Sequence, residues 1–204
     1  MLLFISSIIL GIAALVAIYS LGENMRREID RQAASLLGAD LRISSNKQVS
    51  AEMKKLTDSL GDRRSEERRF TSMIYFQKNS GTRLVQVRAL AGEFPYYGDF
   101  ETLPAAASRM FRKSQGALVD QTLMLQYNAR AGDSIKVGNV SFVITGSLVS
   151  APGQTGLSAS VAPIVYIPLQ YLEQTGLSQK GSRINYTYYF KFDRTVNMEG
   201  LIKK

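Results

Sequence analysis

LLFISSIILGIAALVAIYSL, residues 2–21, runs for twenty residues without a charged side chain, its only polar members being Ser6, Ser7, Tyr19 and Ser20. A helix of that length reaches about 30 Å, the thickness of a bilayer's hydrocarbon core. A cleaved secretion signal begins with basic residues and ends at a small-residue cleavage site after a shorter apolar run. Here the first basic residue is Arg26, and no A-x-A pattern closes the run. A core helix of a water-soluble domain is usually shorter and keeps a polar side. The stretch therefore predicts a transmembrane helix over residues 1–22, with Gly11, Ala13, Ala14 and Ala17 as small positions against which another helix could pack.

The helical pattern continues past the apolar run. Met25, Ile29, Ala33 and Leu36 or Leu37 keep a 3.6-residue stripe through a segment rich in Glu, Arg and Gln, which predicts a stalk over residues 23–37. Gly38 is placed to cap it, and residues 38–44, GADLRIS, alternate Leu41 and Ile43 against Asp40 and Arg42 as a short strand does. Arg26, Arg27, Arg31 and Arg42 follow the span, which by the positive-inside bias would hold the rest of the chain in the cytoplasm. That bias counts short loops, and long domains translocate largely regardless of charge, so charge alone leaves the orientation open.

Composition narrows the chemistry. The chain has 204 residues and a formal charge of +8, with no Cys, His or Trp, room for one ordinary domain beyond the span. Triads using His, Cys nucleophiles, imidazole or thiolate metal sites, haem ligation and redox pairs are excluded outright. Carboxylate, Lys, Tyr and Ser chemistry remain, but no clustered acids or Ser-Lys pair stand in a recognisable setting, so no catalytic, cofactor-binding or metal-ligating residue is assigned. The charged run DRRSEERR, residues 62–69, mixes four Arg with three acids and reads as a solvated connector, without the aromatic or Gly interleaving of a nucleic-acid surface. The Gly, Ser and Pro-rich residues 151–163 lack the Lys and following helix of a phosphate-binding loop.

The remaining pattern is mixed. Val49, Met53, Leu56 and Leu60 predict a helix capped by Ser50 and closed by Gly61. Two strands then flank the turn Asn79-Ser80-Gly81, with Phe70, Ser72, Ile74 and Phe76 on one face of the first and Val85, Val87 and Ala89 on one face of the second. From Gly92 a long aperiodic connection marks a lobe boundary. Beyond it the pattern gives a strand at 117–119, a helix at 121–127 capped by Asp120, and a hairpin turning at Gly138-Asn139 into a strand at 140–149. A strand at 164–167 follows, then a short helix with Pro168 at its first position and Gly176 at its end. The last strand places Ile184, Tyr186, Tyr188, Phe190 and Phe192 on one face, read as a buried face and not as a ligand platform. Asn185-Tyr186-Thr187 matches a glycosylation acceptor, a pattern short enough to arise by chance. Met198, Leu201 and Ile202 open a further amphipathic helix as the sequence ends, so the chain reads as a fragment of a longer polypeptide.

The order of these features, with LLGADLRIS (36–44), AGDSIKVG (131–138), VYIPLQYLEQTGL (165–177) and GSRINYTY (181–188), resembles the permease subunits of the MacB, FtsX and LolE type of ABC transporter, in particular the YbbP-like branch. The resemblance covers nearly the whole chain; the later membrane helices, the ATPase domain and basic residues before the first span have no counterpart in this sequence. It implies an α+β fold in which the membrane helix and stalk carry a two-lobed extracytoplasmic domain. The first lobe, split βαβ-like, would comprise residues 38–91 and 182–204; the second would be the inserted residues 92–181. It further implies a permease subunit without enzymatic activity of its own, in the inner membrane, with everything after residue 22 extracytoplasmic. Its partners would be the lipid bilayer, a cytoplasmic ABC ATPase subunit and a second permease copy or homologous half. No cofactor and no nucleic acid are expected. A sensor domain of a single-span receptor is the alternative of a different class, and the sequence following residue 204 would separate the two.

Overall fold

The computed structural model describes residues 2–47, 57, 60–152, 163–178 and 183–193. Helix α1, Leu2–Leu37, is unbroken for 36 residues and passes through Gly22 without interruption. It is long and apolar enough to cross a membrane. Its aliphatic side chains are bare, with Ile9, Leu10, Leu15, Ile18 and Leu21 all more than half exposed. Each forgoes roughly 1.5–3 kcal/mol of burial in water, a deficit that lipid removes. In the polar half, Arg27 pairs with Glu23 at 3.1 Å and Gln32 donates to Glu28 at 3.4 Å, contacts one helical turn apart.

Among the described residues nine strands follow: β1 Leu41–Ser45, β2 Arg63–Phe76, β3 Gly81–Ala91, β4 Glu101–Leu103, β5 Gly116–Asp120, β6 Ser134–Val137, β7 Val140–Ser150, β8 Ile164–Pro168 and β9 Asn185–Lys191. Two short helices interrupt them, α2 Ala107–Lys113 and α3 Gln121–Gln126. The strand order is β1-β9-β2-β3-β8-β5-β7-β4, and β6 pairs with both β2 and β7. Those last two pairings close a six-stranded ring, β2-β3-β8-β5-β7-β6, in which β3 with β8 and β5 with β7 are parallel and the other pairs antiparallel. A ring of this size has room only for side chains, and here Ile74, Val85, Val87, Val119, Ile135, Phe142, Val165 and Ile167 belong to one buried cluster.

A second buried cluster contains Leu90, Phe94, Phe100, Phe111, Leu118, Tyr166 and Tyr189. The register assigns it to the ring's outer surface, because Leu118 lies opposite Tyr166 while Val119 and Val165, one residue along, belong to the first cluster. Phe111 of α2 and the connection 92–100 cover it, with Phe94 stacked on Tyr189 at 3.8 Å between ring centres.

The hairpin of β2 and β3 is present, with Phe76 opposite Gly81. Asp120 caps α3, its carboxylate accepting from Thr122 N at 2.8 Å. In the two-residue turn between β6 and β7 only Gly138 has a positive φ, as a II′ turn requires, and a Cβ there would overlap the Thr175 carbonyl.

The run 62–69 is not a solvated connector. From Arg63 onward it is the first half of β2, flanked by β9 and β3, with Ser65 and Glu67 buried. Its charges satisfy one another along the strand, Glu66 pairing with Arg64 at 3.1 Å and Arg68 at 3.0 Å. Pro168 ends β8 in an extended conformation and does not open an α-helix. The segment after it forms two single 3₁₀ turns, Leu169–Tyr171 and Glu173–Thr175, closed by left-handed Gly176. So short a span cannot repay α-helix nucleation. On β9 the aromatic face is joined in burial by the opposite face, since Thr187 and Tyr189 are buried beside Tyr188 and Phe190. Most of the helix expected from Val49 to Leu60, all of the one opening at Met198, and most of residues 151–163 lie outside the described residues.

Candidate functional site

Where α1 meets the sheet, the chain makes a sharply constrained turn. Gly38 takes φ +70°, and its N–H donates to Ala34 O at 2.8 Å, ending the helix. A Cβ at this position would stand 2.8 Å from the Phe94 ring, so glycine is required for space as well as for conformation. The connection 92–100 then clamps the joint. Tyr96 N donates to Gly38 O at 2.8 Å, and Tyr97 Oη donates to Asp40 Oδ1 at 2.8 Å. Asp40 also accepts from Phe192 N at 2.9 Å, so one carboxylate ties the helix exit to both the clamp and the end of β9. Burial, followed by the Asp40 hydrogen bond, raises the Tyr97 phenol above its ordinary value. Ser65 Oγ accepts from Phe94 N at 2.9 Å and shares a 2.8 Å hydrogen bond with Tyr96 Oη, which anchors the clamp on β2.

Beside this joint, on the same outer face, lies a buried polar network. Glu67 is 0% exposed and Arg88 8%. Tyr189 Oη donates to Glu67 Oε2 at 3.3 Å, and Arg88 Nη1 stands 3.9 Å from the same oxygen. Arg88 Nη1 donates to Tyr166 Oη at 2.9 Å and Nε to Gln86 Oε1 at 3.1 Å. Burial works against the Arg88 charge, but Tyr166, Glu67 and Tyr189 outweigh it and the net direction is upward. Burial pushes the Tyr166 phenol up to about 12, with Arg88 opposing. Tyr189 is raised likewise, by burial first and then by the Glu67 charge. Both phenols are therefore neutral hydrogen-bonding groups at any ordinary pH. Glu67 Oε1 has no partner among the described residues. A cavity of about 30 Å³ adjoins the network, lined by Leu36, Leu37, Arg42, Arg69, Arg88, Pro152 and Tyr189.

This arrangement holds no nucleophile beside a base, and among the described residues no group of three or more acids could hold a metal. It can join a helix rigidly to a sheet. The sequence had marked Gly38 as a cap and Asp40 and Arg42 as one side of a strand, and the structure brings all three to the joint. It had no signal for Glu67, Arg88, Tyr166 and Tyr189 acting together.

Comparisons with known proteins converge on one family. The model of the MacB-like periplasmic core domain matches residues 1–204. An uncharacterized ABC transporter permease, YbbP of Escherichia coli (strain K12), is 24% identical over 181 residues, covering 89% of this chain and 22% of that protein. The chain thus spans about a fifth of that relative's length. Among solved structures, the periplasmic region of MacB from Actinobacillus actinomycetemcomitans is 10% identical at TM-score 0.46, covering 81% of this chain and 82% of that one. The extracellular domain of the noncanonic ABC-type transporter YknZ from Gram-positive bacteria is 9% identical at TM-score 0.44, covering 76% and 77%. With its full length matched by the family model, the chain belongs to the MacB-like periplasmic core domain family.

Proposed function

We propose that this chain is the first membrane helix and extracytoplasmic core domain of an ABC transporter permease subunit, and that α1 conveys motion between bilayer and sheet. The observation that carries this reading is the unbroken α1, apolar and bare in its first half, polar in its second, and locked at Gly38 to the sheet. Residues 23–37 extend about 22 Å at helical rise, a lever long enough to turn a small tilt in the membrane into displacement at the joint. Family membership and the YbbP relative support a permease over a receptor's sensor domain. In this reading the chain sits in the inner membrane with residues after 22 outside the cytoplasm. ATP hydrolysis belongs to a separate cytoplasmic ATPase subunit, and a second permease copy or homologous half completes the membrane assembly. In this reading residues 38–91 with 182–204 supply β1, β9, β2 and β3 and residues 92–181 supply β4 to β8, the two sets meeting at the β3–β8 and β2–β6 pairings.

The absence of cysteine makes topology directly measurable. In intact cells stripped of their outer barrier, a membrane-impermeant maleimide should label Leu125→Cys, whose parent side chain is 75% exposed, and should leave Val16→Cys unlabelled. Labelling of Leu125→Cys only after membrane permeabilisation would place the sheet in the cytoplasm and end this reading.

A further inference from the structure

The cavity under the end of α1 is lined by arginines from three strands, Arg42 on β1, Arg69 on β2 and Arg88 on β3. Arg69 and Arg88 are directly opposite each other in the β2–β3 register, a like-charge pairing that costs stability unless something offsets it. Arg88 has Glu67 and Tyr166. Among the described residues Arg69 has no hydrogen-bond or ion-pair partner, and Arg42 has only the Tyr189 ring, 6.0 Å away. Glu67 pairs with neither of them among the described residues: its Oε2 is engaged by Tyr189 and Arg88, and its Oε1 has no partner. The C-terminus of α1 contributes at most about half a negative charge. Three cations thus face one carboxylate and a partial dipole around a partly enclosed space, and the local excess is positive.

We propose that this cavity is an oxyanion site, taking one oxygen of a phosphoryl or carboxylate group against Arg42 and Arg69 at the foot of the stalk. Its volume of about 30 Å³ accepts a single oxygen atom or water and leaves the rest of the group at the rim. Planar guanidiniums suit the paired oxygens of such groups better than a spherical ion. The stalk holds the cavity about 22 Å beyond the end of the span, out of reach of an in-plane headgroup, so the group would be a soluble anion, and the bound oxyanion would offset the repulsion between Arg69 and Arg88.

The test uses the full chain in nanodiscs of zwitterionic lipid, with thermal unfolding followed at constant ionic strength as inorganic phosphate, then acetate, is titrated. A saturable rise in Tm with phosphate is expected. Arg69→Gln and Arg42→Gln should each weaken the midpoint about tenfold or more, the scale of one lost charge-assisted hydrogen bond. Arg69→Lys, which keeps the charge, should lose less than Arg69→Gln. Arg83→Gln, exposed on β3 outside the cavity, should leave the response unchanged. Discs containing anionic phosphatidylglycerol should leave the phosphate response unchanged, and an Arg69-dependent rise in Tm that abolishes that response would overturn a soluble-anion site. A response that never saturates, or one equal in parent, Arg69→Gln and Arg83→Gln, overturns the site. Arg42→Gln and Arg69→Gln remove partly exposed charges and leave Glu67, Arg88 and Tyr166 in place, so a fold intact by circular dichroism is expected for both.

Discussion

Glu67 is the residue on which the local chemistry turns. A carboxylate wholly removed from water is tolerated because Tyr189 donates to it and Arg88 lies 3.9 Å away. Truncation to Glu67→Ala strands the buried guanidinium, and a loss of about 3–5 kcal/mol in unfolding free energy is expected. The double variant Glu67→Gln with Arg88→Met should recover part of that loss, and a double-mutant cycle in denaturant reads the coupling. Gly38→Ala combines a left-handed backbone with a Cβ driven into Phe94, so a cost of about 1–3 kcal/mol is expected in the same measurement. The buried phenols fix the alkaline limb. Tyr166 ionises near pH 10 when unfolded and only at about 12 when folded, so above pH 10 the unfolded state holds fewer protons than the native state. Stability from this group is complete below pH 10 and is lost as pH rises through 12, falling by about 1.4 kcal/mol per unit in between. Unfolding titrations between pH 9 and about 12 should show this fall, and Tyr166→Phe should make it shallower while leaving the part due to Tyr189.

Among the elements, α1 is the one whose reading needed no tertiary information. Apolar residues on every side, then a stripe, then a glycine, describe a membrane helix, a stalk and a cap. Gly22 touches nothing within 4 Å, so Gly22→Ala should fold normally and raise helix stability by up to about 1 kcal/mol. Arg27→Pro removes a helical hydrogen bond in the stalk at a cost of about 3 kcal/mol and should kink α1. Spin labels on Leu10→Cys and Leu125→Cys report the result. A narrow distance distribution in the parent should broaden in Arg27→Pro while the sheet's tyrosine signal stays unchanged, and equal widths would show that the stalk does not set the geometry. Strand β2 is the opposite case. Its first half looked like a connector because charge dominated its composition, yet the ion pairs Arg64–Glu66–Arg68 let it lie between β9 and β3.

For the whole molecule, the closed ring draws β2 and β3 from residues 38–91 and β5 to β8 from residues 92–181. A shared core predicts one cooperative thermal transition, with amide exchange in β2 and in β7 slowed to the same free energy; two separated transitions would show that the segments unfold independently. By itself the sequence determined the long apolar helix, the exclusion of imidazole and thiolate chemistry, most hairpins and caps, and the α+β class, because each depends on composition or on residues a few positions apart. Only the tertiary structure decided that β6 closes the ring, that Glu67 is buried, and that Arg42, Arg69 and Arg88 surround one cavity. Those facts depend on strand register between segments as far apart as Arg42 and Tyr189, and register is set by the packing of both faces together, which no local pattern encodes.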